Sequence, residues 1–341
     1  MYLNMDLYRI FKPVIFISRV FCLAPFSAVE DFGSTRYQYS TFWLLYSIVG
    51  VCASFISQLS VFWIPSSFSD EALYNAFSQV LEAATCVVSV VIQVLCLSNG
   101  KNVIAILDHV SVLDSEHSGT RISYYRLYKV FIVHLICCII SLVVLNVIFF
   151  AALDTNSAYI FKNVYVSIVF FICDMVLLVS DTQFIYFVFL LKYRFSVLND
   201  TLINFTVPSL YKMSVNHMIR TPAVYRSVNS STSAVSSPYT VLKSTLRKVC
   251  RHHDSLCNIS EFVNRTYSLQ ILLSVTLTSF EVLYMAYSFD KELSKPTLNL
   301  YSSTLLFYMS TLAGVFAVSA KVVLLVVACN RASHEVSGLQ L

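Results

Sequence analysis

"SSTLLFYMSTLAGVFAVSAKVVLLVVAC", residues Ser302 to Cys329, carries one charge, Lys321, in 28 positions. A helix rises 1.5 Å per residue, so about 20 apolar residues cross the roughly 30 Å hydrocarbon core of a bilayer. A run of this length belongs in lipid. Five more blocks of the same kind precede it, and the sequence predicts six spans at about 41–64, 79–98, 128–153, 163–190, 268–289 and 302–329. Composition agrees. Hydrophobic residues make up 57% of the 341 and charged residues 12%, with a mean hydropathy of +0.70; soluble domains carry about 25% charge. Lipid leaves a backbone only two ways to satisfy its polar groups, helices or closed barrels, and no ten-residue alternation suggests a barrel. The expected fold is an all-α polytopic transmembrane helical bundle.

Orientation follows from lysine and arginine. The N-terminal segment, the 99–129 stretch, the 191–267 loop and the C-terminal tail hold four, four, ten and one, whereas the alternate loops hold Lys162, Lys291 and Lys295. The positive-inside rule then places the N-terminus in the cytoplasm. In the long loop only charges near the spans count, and Lys192, Arg194, Arg247, Lys248, Arg251 and Arg265 suffice. The stretch Val14 to Val29 is broken by Arg19 and Pro25 and lacks a small-residue cleavage site, so the first span is expected to direct insertion.

The organisation read from this is a cytoplasmic segment 1–40, a transmembrane bundle 41–329, and a cytoplasmic tail 330–341. The bundle includes the long cytoplasmic loop 191–267. Its flanks, "LLKYRFSVLNDTL" (Leu190 to Leu202) and "LRKVCRHHDSLCNISEFVNRTY" (Leu246 to Tyr267), read as helices continuing out of the bilayer. Between them "SVNSSTSAVSSP" (Ser227 to Pro238) is polar and of low complexity, the composition of a disordered insert or of a phosphorylated one. All five N-x-S/T sequons, at Asn199, Asn204, Asn229, Asn258 and Asn264, fall in this loop. They are silent if it is cytoplasmic and glycosylated if the chain is inverted.

Chemistry inside the spans is sparse. A charge at the bilayer centre costs about 2.5–3.5 kcal/mol, so each one needs a partner or water. Asp181 lies 18 residues from the outer end of span four and Lys321 lies 19 from that of span six. They are expected at similar depth, as an intramembrane ion pair serving either as a gating latch or as plain structure. Gln270, Ser274, Thr278 and Glu281 share one helical face, which Tyr284 extends, and Gln79, Glu82, Thr85, Ser89 and Gln93 share another. Such faces line a bundle interior or a cavity. Towards the outside, Gln58, Glu82, Asn146, Glu281, Tyr284 and Tyr308 converge as a candidate ligand pocket; interhelical hydrogen bonding is the plainer role for any one of them.

No catalytic cluster, phosphate-binding glycine loop or cofactor motif is present, and no nucleic-acid partner is indicated, since the basic residues sit beside the spans. The ten cysteines contain no C-x-x-C. His252, His253 and Asp254 are adjacent in sequence and suit a solvated or capping role better than a metal site.

Several stretches resemble the insect gustatory receptor family: "ISRVFCLAPFSAV" (Ile17 to Val29), "NVIAILDHVSVLD" (Asn102 to Asp114), "LLKYRFSVLNDTL", the segment from Arg251 to Tyr287, and "ACNRASHEV" (Ala328 to Val336). The resemblance implies a taste receptor for a small molecule such as a sugar or bitter compound, built as a ligand-gated cation channel. It also implies a homo- or hetero-tetramer in the plasma membrane, with the N-terminus inside. The family's signature, Thr-Tyr followed by Gln-Phe in a pore-lining seventh span, is not found here, so the tail is expected to lead to a missing span. A truncated, non-conducting or modulatory chain is then a second reading. A G-protein-coupled receptor is a third, weakened by the orientation and by the lack of D/E-R-Y and N-P-x-x-Y. A transporter is a fourth, weakened because no proline lies well inside a span.

Overall fold

The computed structural model describes residues 7–31, 34–63, 72–116, 125–152, 160–219, 238–293, 322–323 and 325–334. Six long helices and a short hairpin are laid out in the order α1 (Leu7–Val20), β1 (Phe26–Asp31), β2 (Ser34–Tyr39), α2 (Thr41–Trp63), α3 (Ala72–Glu116), α4 (Tyr125–Ala152), α5 (Ile160–Ile219) and α6 (Pro238–Leu293). A further helical stretch, α7, covers 325–334. The protein is an all-α, polytopic helical one.

Four described stretches are long and apolar enough to cross a membrane: Thr41–Ser60, Phe77–Asp114, Val164–Asn204 and Lys243–Asp290. They contain the spans expected at 79–98 and 268–289 and cover most of those expected at 41–64 and 163–190. The span expected at 128–153 coincides with α4, of which Tyr128–Val144 is a shorter apolar stretch. Most of the sixth, up to residue 321, lies outside the described residues, as does the 227–237 part of the polar insert.

Three helices outrun the bilayer. α3 has 45 residues, α5 has 60 and α6 has 56, and about 20 suffice to span. Their buried positions explain how they stay together. On α3 they fall at Thr85, Ser89, Ile92, Cys96, Ile106, Val110 and Leu113; on α6 at Val249, His252, Leu256, Ile259, Val263, Thr266, Gln270, Ser274 and Leu277. On α5 the same stepping runs from Val169 through Cys173, Val176, Ser180, Gln183, Phe187, Leu190 and Arg194 to Leu198. Apart from the interval between Cys96 and Ile106 on α3, the steps are of three and four, close to 3.5 residues on average, the seam of helices packed at a shallow angle. On α5 and α6 the seam continues from the membrane into the extension, and on α3 the stretch expected as the loop 99–127 is helical as far as Glu116.

Below the spans the seam is mainly apolar, with Arg194, His252 and Thr266 as exceptions, and its apolar residues form the main core. Ile106, Leu107, Val110, Leu190, Leu191, Phe195, Leu256, Ile259 and Tyr267 belong to it, with Phe131 and Leu135 from α4 and Ala328 from α7. α1 closes this core from the side. Leu7, Ile10, Phe11, Val14, Ile15 and Ser18 are all buried, one stripe of an amphipathic helix, and Phe11 meets the rings of Tyr186 and Phe187 on α5.

The N-terminal segment also holds a hairpin that the sequence reading does not contain. Its strands pair antiparallel from Phe26–Tyr39 to Asp31–Ser34. α1 ends with Cys22 in the left-handed region (φ 62°), Leu23 N–H donating to Ser18 C=O at 2.7 Å and Cys22 N–H to Arg19 C=O at 3.0 Å. Those two bonds cap the last carbonyls. Two helical glycines receive this turn: a β-carbon on Gly50 would strike the Cys22 sulfur, and one on Gly100 would stand 2.8 Å from Pro25 Cγ. Arg19 fastens the turn by donating twice to Phe26 C=O, at 2.8 and 2.6 Å, while its guanidinium lies 4.9 Å from the Trp43 ring centre.

Candidate functional site

At membrane level the usual arrangement is inverted. Phe42, Leu45 and Ile56 of α2, Val80, Val87 and Val94 of α3, and Leu272 and Leu283 of α6 point outward, while the interior holds polar side chains beside an apolar cluster that includes Ile92, Val176 and Leu277. Lipid gains nothing from burying leucine between helices, but an unbonded amide in hydrocarbon is costly, so polar groups turn towards one another. Ser180 Oγ donates to Gln270 Oε1 at 3.3 Å, and Gln270 Nε2 donates to Cys96 Sγ at 3.6 Å. These contacts join α3, α5 and α6 at one level. One turn further along α5, Gln183 Nε2 reaches Ser18 Oγ of α1 at 2.5 Å, and Tyr267 of α6 donates to Gln183 Oε1 at 3.4 Å. Gln93 Nε2 donates to Phe21 C=O at 3.4 Å, and Asn99 Nδ2 to Thr266 C=O at 3.0 Å. α5 is thereby bonded to α1, and α3 to Phe21 just beyond its end.

A small cleft of about 240 Å³, its open mouth included, lies between α5, α6 and the start of α7. Asp181, Ile185, Ser274, Val275, Thr278, Val322 and Leu325 line it. Asp181 accepts a hydrogen bond from Ser274 Oγ at 2.8 Å. Lys321, the partner expected for Asp181, lies outside the described residues.

Of the expected pocket, Gln58 is buried and its amide donates to Cys173 Sγ at 3.2 Å. Glu82 is half-buried and accepts from Ser78 Oγ at 3.2 Å. Glu281 and Tyr284 are half-buried on α6, and the Tyr284 ring meets Phe77 of α3 at 5.8 Å. α3 and α6 run antiparallel. Counting from Cys96 beside Gln270 and from Phe77 beside Tyr284, Glu82 falls opposite 279–284, the turn that carries Glu281. Asn146 sits on α4 with its side chain outside the described residues, and so is Tyr308 altogether. The polar faces run inward in part: Thr85, Ser89 and Gln93 are buried and Gln79 is exposed, while Gln270, Ser274 and Thr278 are buried, with Ser288 beyond them.

Below the membrane level the extension holds groups that spacing alone does not pair. Arg194 of α5 is buried and forms an ion pair with Asp114 of α3. His252 is buried, which corrects the solvated role expected for it, because the seam of α6 places position 252 inward between Val249 and Leu256. His253 instead faces outward far enough to contact Asp254 at 3.7 Å, with its ring 5.9 Å from that of Phe195. Among the described residues no group of three or more His, Cys, Asp or Glu is placed to share a metal ion. Outside the spans, burial raises the Cys22 thiol above its ordinary value, with a hydrogen bond from Tyr46 acting the other way, and burial lowers the Arg19 guanidinium.

The model of the 7tm chemosensory receptor family matches residues 11–341. That is a receptor family and not an enzyme family. No curated protein matches the chain.

Proposed function

We propose, from the premise that this chain belongs to the 7tm chemosensory receptor family and is a chemoreceptor, that it is a taste-receptor subunit of the ligand-gated cation-channel type. It sits in the plasma membrane with its N-terminus in the cytoplasm, and it works as a tetramer with copies of itself or with related subunits. Its ligand is a small molecule such as a sugar or a bitter compound.

The observation that carries this reading is the inward turn of the polar faces of α3 and α6. Their antiparallel register brings the Glu82 level to that of Glu281, beside the Phe77–Tyr284 ring contact. Carboxylates with aromatic walls suit a ligand that offers hydroxyls or a positive charge. Gln58, Asn146 and Tyr308 are assigned to the same pocket, and Asp181 with Lys321 to a latch below it. A ligand held there shifts the receptor only by the difference between its affinities for the open and closed arrangements. A tenfold preference supplies about 1.4 kcal/mol.

The test is heterologous expression of the chain, alone and beside related subunits, with surface labelling to establish delivery and whole-cell current as the readout. A panel of sugars and bitter compounds that evokes cation current, reduced by Glu82→Gln or Tyr284→Ala, supports the proposal. Silent currents from a surface-delivered chain in both settings overturn it.

A further inference from the structure

We infer that the outer stripe of α1 is a lipid contact: Phe16 and Val20 lie among phospholipid acyl chains and Lys12 among the headgroup phosphates, in the leaflet where α2 begins. The inference uses the spans and is independent of the receptor reading.

Lys12, Phe16 and Val20 follow one another at steps of four, on the side of α1 opposite its buried stripe. Lys12 is exposed, Phe16 is 64% exposed and Val20 52%. A single exposed phenylalanine is ordinary on a soluble surface; its level decides what it meets. Phe11 touches Tyr186 and Phe187 of α5, close to the end of the span expected at 163–190, whereas Ser18 is bonded to Gln183 further in. α1 therefore crosses α5 obliquely and climbs towards the bilayer centre from Phe11 to Val20. At its far end Tyr46 of α2 donates to Val20 C=O at 3.5 Å, and Cys22 lies against Gly50. Gly50 is nine residues beyond Thr41, about 14 Å along the α2 axis.

The turn that follows suits that depth. Irregular backbone is tolerated at membrane level only where protein satisfies its polar groups. Phe21 C=O accepts from Gln93, Pro25 C=O from Ser40 N–H at 3.1 Å, and Phe26 C=O from Arg19, joining Val20 C=O on Tyr46. Between Pro13 and Phe21 the one charge is Arg19, and it is turned onto Phe26 C=O and the Trp43 ring. A helix apolar on both faces requires an apolar medium on both. The bundle supplies one and lipid the other. The stripe is also continuous with a lipid-facing surface, since Phe42, Leu45 and Val49 are exposed on the turns of α2 that hold Trp43, Tyr46 and Gly50. Its order follows the bilayer's own gradient: a cation at the shallow end, then a ring, then an aliphatic side chain. Lysine is the residue whose apolar stem lies along hydrocarbon while its ammonium reaches the polar layer.

The experiment introduces Phe16→Trp or Val20→Trp into the full chain, reconstituted in phosphatidylcholine vesicles, and reads the emission added to that of Trp43 and Trp63. The quenchers are bromine atoms on the acyl chains, near the glycerol end or near the methyl end, and acrylamide in the water. The added emission is expected to be blue-shifted, mostly lost in brominated vesicles and little changed by acrylamide. Methyl-end bromine should act more strongly at position 20 than at position 16. Leu246→Trp, at an exposed position on the extension of α6, is expected to show the reverse pattern of quenching. Adding Lys12→Glu to the Phe16→Trp chain should shift its emission to the red, and an unchanged emission would refute the headgroup contact. Emission at 16 and 20 that acrylamide quenches and bromine spares overturns the proposal, because the stripe then faces water. Emission shielded from both quenchers overturns it too, because the stripe is then covered by protein, such as a second copy of the chain.

Discussion

Asp114 at the far end of α3 and Arg194 on the extension of α5 form an ion pair in which the arginine side chain is 3% exposed and the aspartate 26%. The pair joins the two stretches "NVIAILDHVSVLD" and "LLKYRFSVLNDTL". Breaking such a pair costs most when the buried charge is the one left behind.

Asp114→Asn is therefore expected to destabilise the chain by about 3–5 kcal/mol, because it strands the guanidinium. Arg194→Met, which keeps the volume and leaves only a half-exposed carboxylate, is expected to cost much less. Thermal unfolding followed by fluorescence-detected gel filtration orders the two variants. The opposite order would show that the pair is not held as described.

Gln183 connects Ser18 of α1 to Tyr267 of α6. Gln183→Leu leaves two buried polar groups without this partner, at about 1–3 kcal/mol each, and is expected to loosen α1 before anything else. Hydrogen exchange of residues 7–20 should quicken while the spans keep their protection. Uniform protection across both regions would count against the bridge.

Gly50 receives the Cys22 side chain, and Cys22 is held at φ 62°. Gly50→Ala should destabilise the N-terminal segment. Cys22→Gly should rescue it, since it removes the sulfur in the way and relieves a left-handed conformation costing a β-carbon residue about 1 kcal/mol. A double-mutant cycle with no coupling would refute the contact.

The proposed orientation puts Asn199, Asn204, Asn229, Asn258 and Asn264 on the side that the glycosylation machinery never meets. Treatment of the cell-expressed chain with an N-glycosidase should leave its mobility unchanged. A downward shift would place the long loop outside and reverse the topology.

The sequence discloses the spans and the inward faces well, because both depend on one helix at a time: length for a span, a repeat of three and four for a face. The motif stretches were legible as a resemblance, and the structure adds a physical reason for their kinship. Pro25 and Phe26, Ile106 and Val110, Arg194 and Phe195, Leu256 and Ile259, and Ala328 are all buried, and all but Pro25 and Arg194 belong to the core below the spans. The inward turn of His252 was available in principle, since it continues the α6 seam, but adjacent histidines and aspartate draw the eye to chemistry instead of to the repeat. The hairpin was not available. Two six-residue strands are marginal in isolation, and this pair exists because Phe26 and Tyr37 are packed in the core. A contact made by other parts of the chain leaves no periodic mark on Phe26–Tyr39.

The seam shared by α3, α5 and α6 changes chemistry along its length while keeping its spacing. Near Ser89, Ser180 and Ser274 the interior mixes polar groups with apolar ones such as Ile92, Val176 and Leu277, and near Val110, Leu198 and Leu256 it is mainly apolar. The first half is held by hydrogen bonds against lipid, the second by the expulsion of water, and only the second carries the large heat-capacity signature of apolar burial. Cooling weakens that lower half and spares the upper one. The rigidity of the connection between them is thus a property that temperature sets.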